Sequence, residues 1–355
     1  MTLEMLGFGA DLEKHRQSQG LDRFEVGRVI SEHKDRYEVQ STDFIFDAEL
    51  IGNMRFSASS RLDLPAVGDW VAFSSYDEGK ALIHALYPRK SLLERQAVGR
   101  ATQRQIIAAN IDTGLIVQAV DRDFNLNRLE RYLTICNDAH VSPVVVLSKT
   151  DLISDEDLKG IIEQVSDRIK GVPLVTVSSM TEDGYAQVAA LVEKGKTYCL
   201  LGSSGVGKST LINSLSGNNH MVTGAISGSV NKGKHVTSHR ELIVLSSGAI
   251  LIDNPGMREV GITDATDELE STFEEIMLLS QQCKFKDCTH INEVGCEVLA
   301  ALRDGTLDEE AYKNFHKMQR EKNHFESSVE EKRKKDKSLG KLFKSVKQDR
   351  RNRKY

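Results

Sequence analysis

The rhythm of apolar and polar positions changes twice along the chain. Residues 1–23 have the spacing of a short helical leader with no evident chemistry. From Phe24 the apolar runs become short and β-branched or aromatic: Phe24–Ile30, Tyr37–Gln40, Phe44–Ile51, Trp70–Phe73 and Ala81–Tyr87. Charged or Gly/Pro turns separate them, and such runs predict strands. Five short strands fit a small barrel of the OB kind; another small β-domain has the same periodicity.

From Ile111 strands and helices alternate. Leu115–Val120 reads as a buried strand, Leu126–Cys136 as a helix and Val144–Leu147 as a strand. Ser154 and Asp157 can cap the helix that follows. Val172–Val177, Thr197–Leu201, Leu242–Leu245 and Ile250–Ile252 are further strands. This alternation predicts a mostly parallel sheet covered on both faces. Beyond Gly261 the pattern is helical and polar.

Composition narrows the setting. The 355 residues are enough for two or three domains, and 39% are hydrophobic, enough for ordinary cores. No run of 18 apolar residues and no signal peptide is evident, so a cytoplasmic protein is expected. An odd count of five cysteines argues for a reducing compartment. The net charge of −5 hides an asymmetry: Lys332–Tyr355 holds 12 Lys/Arg against 2 Asp, a net of +10, leaving −15 on the rest. Such a tail is an arm for nucleic acid or a merely solvated end.

Gly202-Ser203-Ser204-Gly205-Val206-Gly207-Lys208-Ser209 is a full GxxxxGK[ST] match, between the strand Thr197–Leu201 and a helical run from Thr210. Its glycines let backbone N–H groups cradle phosphates, and the helix N-terminus adds its positive end. Lys208 is expected on the β- and γ-phosphates and Ser209 on Mg²⁺. Ser148-Lys149-Thr150-Asp151 follows a strand, where Asp151 can accept from guanine N1–H and its 2-amino group. The bland reading is that Asp151 caps the next helix. Ser178 and Ser179 offer a further loop contact to the base. Asp253-Asn254-Pro255-Gly256 follows another strand; Asp253 can hold the water shell of Mg²⁺, and the Gly256 N–H can sense the γ-phosphate. Between these lies the polar stretch Gly224–Arg240, which suits a switch. Thr237 is its candidate Mg²⁺ ligand, and His235 is placed to approach the γ-phosphate or is simply a solvated loop histidine.

The order is telling. Ordinary GTPases run phosphate loop, switch threonine, DxxG, [N/T]KxD, serine loop. Here the base motif at 148 and the serine loop at 178 come first, so the domain is circularly permuted; a parallel sheet tolerates this because it specifies neighbours in space. Met257 stands where Ras-like enzymes have the glutamine that orients water, so slow intrinsic hydrolysis is expected. Farther on, Cys283, Cys288, His290 and Cys296 offer three thiolates and an imidazole, the ligand set of a closed structural zinc site.

With these motifs in this order, the chain from about Phe24 to Lys322 resembles the ribosome small-subunit-dependent GTPase family (RsgA, also called YjeQ or EngC). The resemblance implies an OB-fold β-barrel at 24–94 for RNA or ribosome binding and a circularly permuted α/β P-loop GTPase domain at 95–262. A mostly helical zinc-binding domain at 263–328 is implied as well; the basic tail at 329–355, read from its charge, lies beyond the resemblance. The resemblance also implies a monomer that acts in late maturation of the 30S subunit on its 16S rRNA, hydrolysing GTP with stimulation by that subunit. The family's G-[KR]-H-x-T matches Gly233–Thr237, and its DTPG matches Asp253–Gly256, with Asn254 in place of Thr. Ser148 stands where the family usually has Asn or Thr. Two competing functions remain: an RNA-binding scaffold with structural nucleotide, opposed by the complete set Lys208, Ser209, Thr237 and Asp253; and an ATP-using P-loop enzyme, opposed by Asp151.

Overall fold

The computed structural model describes residues 2–33, 36–96, 104–121, 124–178, 182–216, 241–253 and 272–323. The positions read as Ser179, the 224–240 stretch, Asn254, Gly256, Met257 and the basic tail therefore lie outside the described residues. Contacts group the chain into two units, Met1–Glu94 with Gln105–Val260, and Arg95–Arg104 with Gly261–Tyr355.

In the first unit the leader forms a 3-10 turn, Glu4–Leu6, and a helix α1, Ala10–Ser18. Five strands follow: β1 Glu25–His33, β2 Arg36–Gln40, β3 Ile45–Leu50, β4 Trp70–Asp77 and β5 Lys80–Leu86. Order β1-β2-β3-β5-β4 with an added β1–β4 pairing closes them into a barrel. Alternation along each strand sends Val29, Tyr37, Val39, Phe46, Ala48, Val71, Phe73, Ala81 and Ile83 into its interior. Gly27 is needed here, because a Cβ would lie 2.3 Å from Val39 Cγ1. The leader is not separate: Leu6 and Phe8 pack with Val26, Trp70 and Tyr87. A short helix the apolar pattern did not disclose, α2 Gly52–Ser57, crosses between β3 and β4.

Two more strands, β6 Leu92–Gln96 and β7 Arg104–Ala109, pair with each other. Then come β8 Thr113–Ala119, α3 Leu126–Asp138, β9 Ser142–Ser148, α4 Asp155–Arg168, β10 Leu174–Thr176, α5 Glu182–Ala190, β11 Thr197–Leu201, α6 Lys208–Ser216, β12 Glu241–Val244 and β13 Ile250–Asp253. Strand order is β10-β9-β8-β11-β13-β12, parallel except for β12. Side chains alternate between two cores. Ile116, Val145 and Leu147 pack with Leu129, Leu133 and Val165 from α3 and α4; Leu115, Val117 and Val146 pack with Val188, Leu211 and Ile212 from α5 and α6. Helices thus cover both faces. β12 also pairs with β1, Glu241 opposite Ser31, so barrel and α/β sheet form one run of eleven strands.

The second unit holds α7 Glu274–Ser280, α8 Glu297–Asp304 and a helix over 309–323, around Phe273, Ile276, Val298, Leu307, Phe315 and Met318. Among the described residues no helix is long and apolar enough to cross a membrane.

Candidate functional site

Parallel strands carry whatever follows them to one edge of the sheet. At the carboxyl edge here, β8 leads to Asp121, β9 ends at Ser148, β10 leads to Ser178, β11 runs into Gly202, and β13 ends at the buried Asp253. Residues scattered over 133 positions of sequence converge because the parallel strands all end at that edge, which is where open α/β sheets bind ligands.

The loop from Gly202 to Gly207 is built by its glycines. Gly202 has φ 146°, and a Cβ there would lie 2.3 Å from the Val117 carbonyl oxygen. Gly205 and Gly207 also have positive φ, which an L side chain resists. Val206 anchors the loop in the core, while Ser204 and Gly205 are exposed. Lys208 opens α6 and donates to the carbonyls of Gly202, at 2.8 Å, and Ser203, at 2.6 Å. Ser209 and Thr210 follow in the first turn, half-buried. From α3, Arg128 Nη1 donates to Ser203 Oγ at 3.2 Å.

The segment after β9 is tied to this loop and to its neighbours. Ser148, buried, donates its hydroxyl to the Val206 carbonyl at 2.6 Å. Lys149 takes a left-handed backbone, φ 61°, and its ammonium meets Asp121 Oδ2 at 2.9 Å. Thr150 donates both its N–H and its hydroxyl to the Val177 carbonyl. Ser178 Oγ donates to Asp151 Oδ1 at 2.9 Å. The cap of α4 is Ser154, which accepts from Asp157 N–H, so Asp151 is not that cap. Asp121 and Arg128 were not singled out from sequence; the available signal was that Asp121 is the first acidic residue past the buried run Leu115–Val120. Ser179, His235, Thr237 and Gly256 lie outside the described residues.

The second unit holds a separate cluster. Ligand atoms of Cys283, Cys288, His290 and Cys296 all lie within 4.8 Å of one another. Cys283 Sγ is 3.8 Å from Cys296 Sγ and 3.6 Å from His290 Nδ1, and that nitrogen is 3.4 Å from Cys296 Sγ. Thiolates about 2.3 Å from a tetrahedral ion stand roughly 3.8 Å apart, so the set fits one metal ion. The electrostatics ask for a cation. Burial pushes the Cys296 thiol up to about 11, the Leu299 N–H pulls the other way, and the neighbouring thiols raise it further. Burial lowers His290, favouring the neutral imidazole that a metal needs, with Glu293 opposing. His290 has a left-handed φ of 59°, and its carbonyl accepts from Tyr312 Oη at 2.6 Å. Glu293 organises the turn by accepting from the hydroxyl and N–H of Thr289 and from the N–H groups of Ile291 and Asn292. The Thr289 hydroxyl and N–H foremost, with the Asn292 N–H, hold its carboxyl down at about 2.

A family model described as RsgA GTPase matches residues 86–263. One described as ABC transporter matches residues 185–345, a stretch that contains the same phosphate-loop motif. The chain is 43% identical to Small ribosomal subunit biogenesis GTPase RsgA 2 of Lactiplantibacillus plantarum, over 90% of each chain. It is 38% identical to RsgA 1 of Bacteroides thetaiotaomicron, over 99% of this chain and 98% of the relative. Among solved structures, YjeQ from Thermotoga maritima matches with a TM-score of 0.61 and 26% identity, covering 83% of this chain and 96% of its own. YloQ, a circularly permuted GTPase, matches with a TM-score of 0.59 and 24% identity over 88% of this chain and 96% of its own, which speaks to fold alone.

Proposed function

The chain belongs to the RsgA GTPase family, and from that premise we propose that this GTP-hydrolysing enzyme docks on the 30S ribosomal subunit and acts in its late maturation. The observation that carries the guanine-nucleotide part of the reading is the coupling of base motif to phosphate loop: Ser148 on the Val206 carbonyl, beside Asp151 held by Ser178. One rigid edge can then hold both ends of a guanine nucleotide. Asp151 reads the guanine edge, the Lys149 stem lies along the ring, and Ser178 with Ser179 steadies the base loop. The loop Gly202–Gly207 with Lys208 and Thr210 binds phosphates. Ser209 and Thr237 ligate Mg²⁺, whose charge offsets that developing on the phosphates, while Asp253 holds its water shell. Gly256 senses the γ-phosphate, and His235 helps place water.

The division into barrel 24–94, GTPase domain 95–262, zinc domain 263–328 and tail 329–355 belongs to the same proposal. Barrel and tail contact 16S rRNA, the tail through phosphates, and the protein works as a cytoplasmic monomer. The Cys283–Cys296 cluster holds one Zn²⁺; four protein ligands leave no open position, so its role is structural. The names of the curated relatives support the ribosomal assignment. The test is GTP turnover with and without purified 30S subunits. Slow turnover alone and a marked rise on adding subunits are expected; identical rates would remove the stimulation.

A further inference from the structure

Lys149 combines two features that seldom coincide. Its backbone is left-handed, a region that disfavours any residue with a Cβ. The kink is nevertheless held on both sides: the Ser148 carbonyl accepts from Val120 N–H, and Thr150 donates twice to the Val177 carbonyl. From that kink the side chain reaches the end of the neighbouring strand, where its ammonium lies 2.9 Å from Asp121 Oδ2. Both partners are largely shielded, the side chains 20% and 27% exposed, so water screens the pair less than it does a surface ion pair.

We propose that Asp121 is a positioning residue for the nucleobase: it anchors the Lys149 ammonium so that the methylene stem stands ready as an apolar shelf for the purine ring. This rests on the base-site reading given above. A free lysine loses rotamer freedom when a ligand orders it, whereas one already pinned has lost that freedom before binding. The four methylenes then offer apolar surface while the charged head stays satisfied away from the ring. Because guanine and xanthine present the same face, the shelf is blind to the edge that Asp151 reads. Asp121 therefore governs affinity for the base, and Asp151 governs its identity.

The experiment is a double-mutant cycle on the full chain, read by titration with GDP. Asp121→Asn weakens GDP binding by roughly three- to tenfold, the range expected for ordering one long side chain. The loss falls on affinity rather than on the single-turnover rate at saturating GTP, and Asp121→Glu recovers part of it. In an Asp151→Asn background titrated with xanthosine diphosphate, Asp121→Asn costs the same factor. In a Lys149→Ala background it costs nothing, because its lever is gone. Wild-type affinity in Asp121→Asn, or an undiminished loss in the Lys149→Ala background, overturns the proposal. If Asp151→Asn itself keeps guanine over xanthine, the base-site reading falls instead, and the two failures are told apart.

Discussion

Ser148 donates its hydroxyl to the backbone carbonyl of Val206 across 2.6 Å, in a position 4% exposed. The family resemblance led one to expect an Asn or Thr here, and the contact explains why serine serves: any short side chain with a donor can satisfy that carbonyl. Ser148→Ala leaves the carbonyl unpaired in a buried place, which costs about 1–3 kcal/mol. The loss falls on the phosphate loop that the carbonyl belongs to. GDP and GTP affinity are therefore expected to drop by roughly tenfold, with guanine preference kept. Calorimetric titration with GDP and xanthosine diphosphate checks this. Unaltered GDP affinity would mean the loop is held without Ser148.

Three thiols gathered with an imidazole within 4.8 Å of one another cannot all lose their protons without a cation to offset the charge. Purified protein should carry one Zn²⁺, and Cys288→Ala should lose it. Metal binding and local folding are coupled, so the segment around Cys283–Cys296 should then become open to protease. Elemental analysis with limited proteolysis provides the readout, and wild-type protein free of zinc would sink the assignment.

A buried cation joins leader, barrel and sheet. Arg28, 1% exposed on β1, donates to the carbonyls of Leu6 at 2.6 Å, Gly68 at 3.1 Å and Asn110 at 3.3 Å, and to Thr197 Oγ1 at 2.9 Å. Burial lowers it to about 10, with Asp112 and Asp69 opposing, so it stays a cation at neutral pH. Arg28→Met strands these acceptors at once. A loss of several kcal/mol is expected, because each buried acceptor left unpaired costs about 1–3 kcal/mol. Urea unfolding followed by tryptophan fluorescence suits the test, because Trp70 packs against the guanidinium. A loss below about 1 kcal/mol would show that water replaces the arginine.

What the sequence disclosed divides along physical lines. Periodicity placed β1–β5, β8, β9 and β11, and the cap Ser154, because burial on one or two faces writes itself into alternation. The glycine-rich loop was legible because its geometry admits few residues. Long-range pairing was not. Nothing local marks Arg28 as buried, since an arginine inside a strand run reads as a solvated face. Nor does anything local announce that Ser31 on β1 pairs with Glu241 on β12. Asp121 escaped because its partner, Lys149, is 28 residues away. The helix Gly52–Ser57 escaped because six residues are too few to establish a period.

The phosphate loop, Thr237 and Asp253 are proposed to position GTP and Mg²⁺, yet Met257 follows Gly256 where a water-orienting glutamine would serve. The free enzyme should therefore bind GTP well and turn it over slowly. His235, in the polar stretch Gly224–Arg240, is the proposed group that approaches the γ-phosphate once the subunit is bound. A positioned base or water-orienting group contributes about 10²–10⁴-fold in rate. His235→Ala should keep nucleotide and 30S affinity but lose most of the stimulated rate. Lys208→Ala should differ by impairing nucleotide binding itself, because its ammonium is the charge placed at the loop. Single-turnover hydrolysis with saturating 30S subunits separates the two. Full stimulation in His235→Ala would make the histidine a loop residue and leave the water to another switch group or to the ribosome.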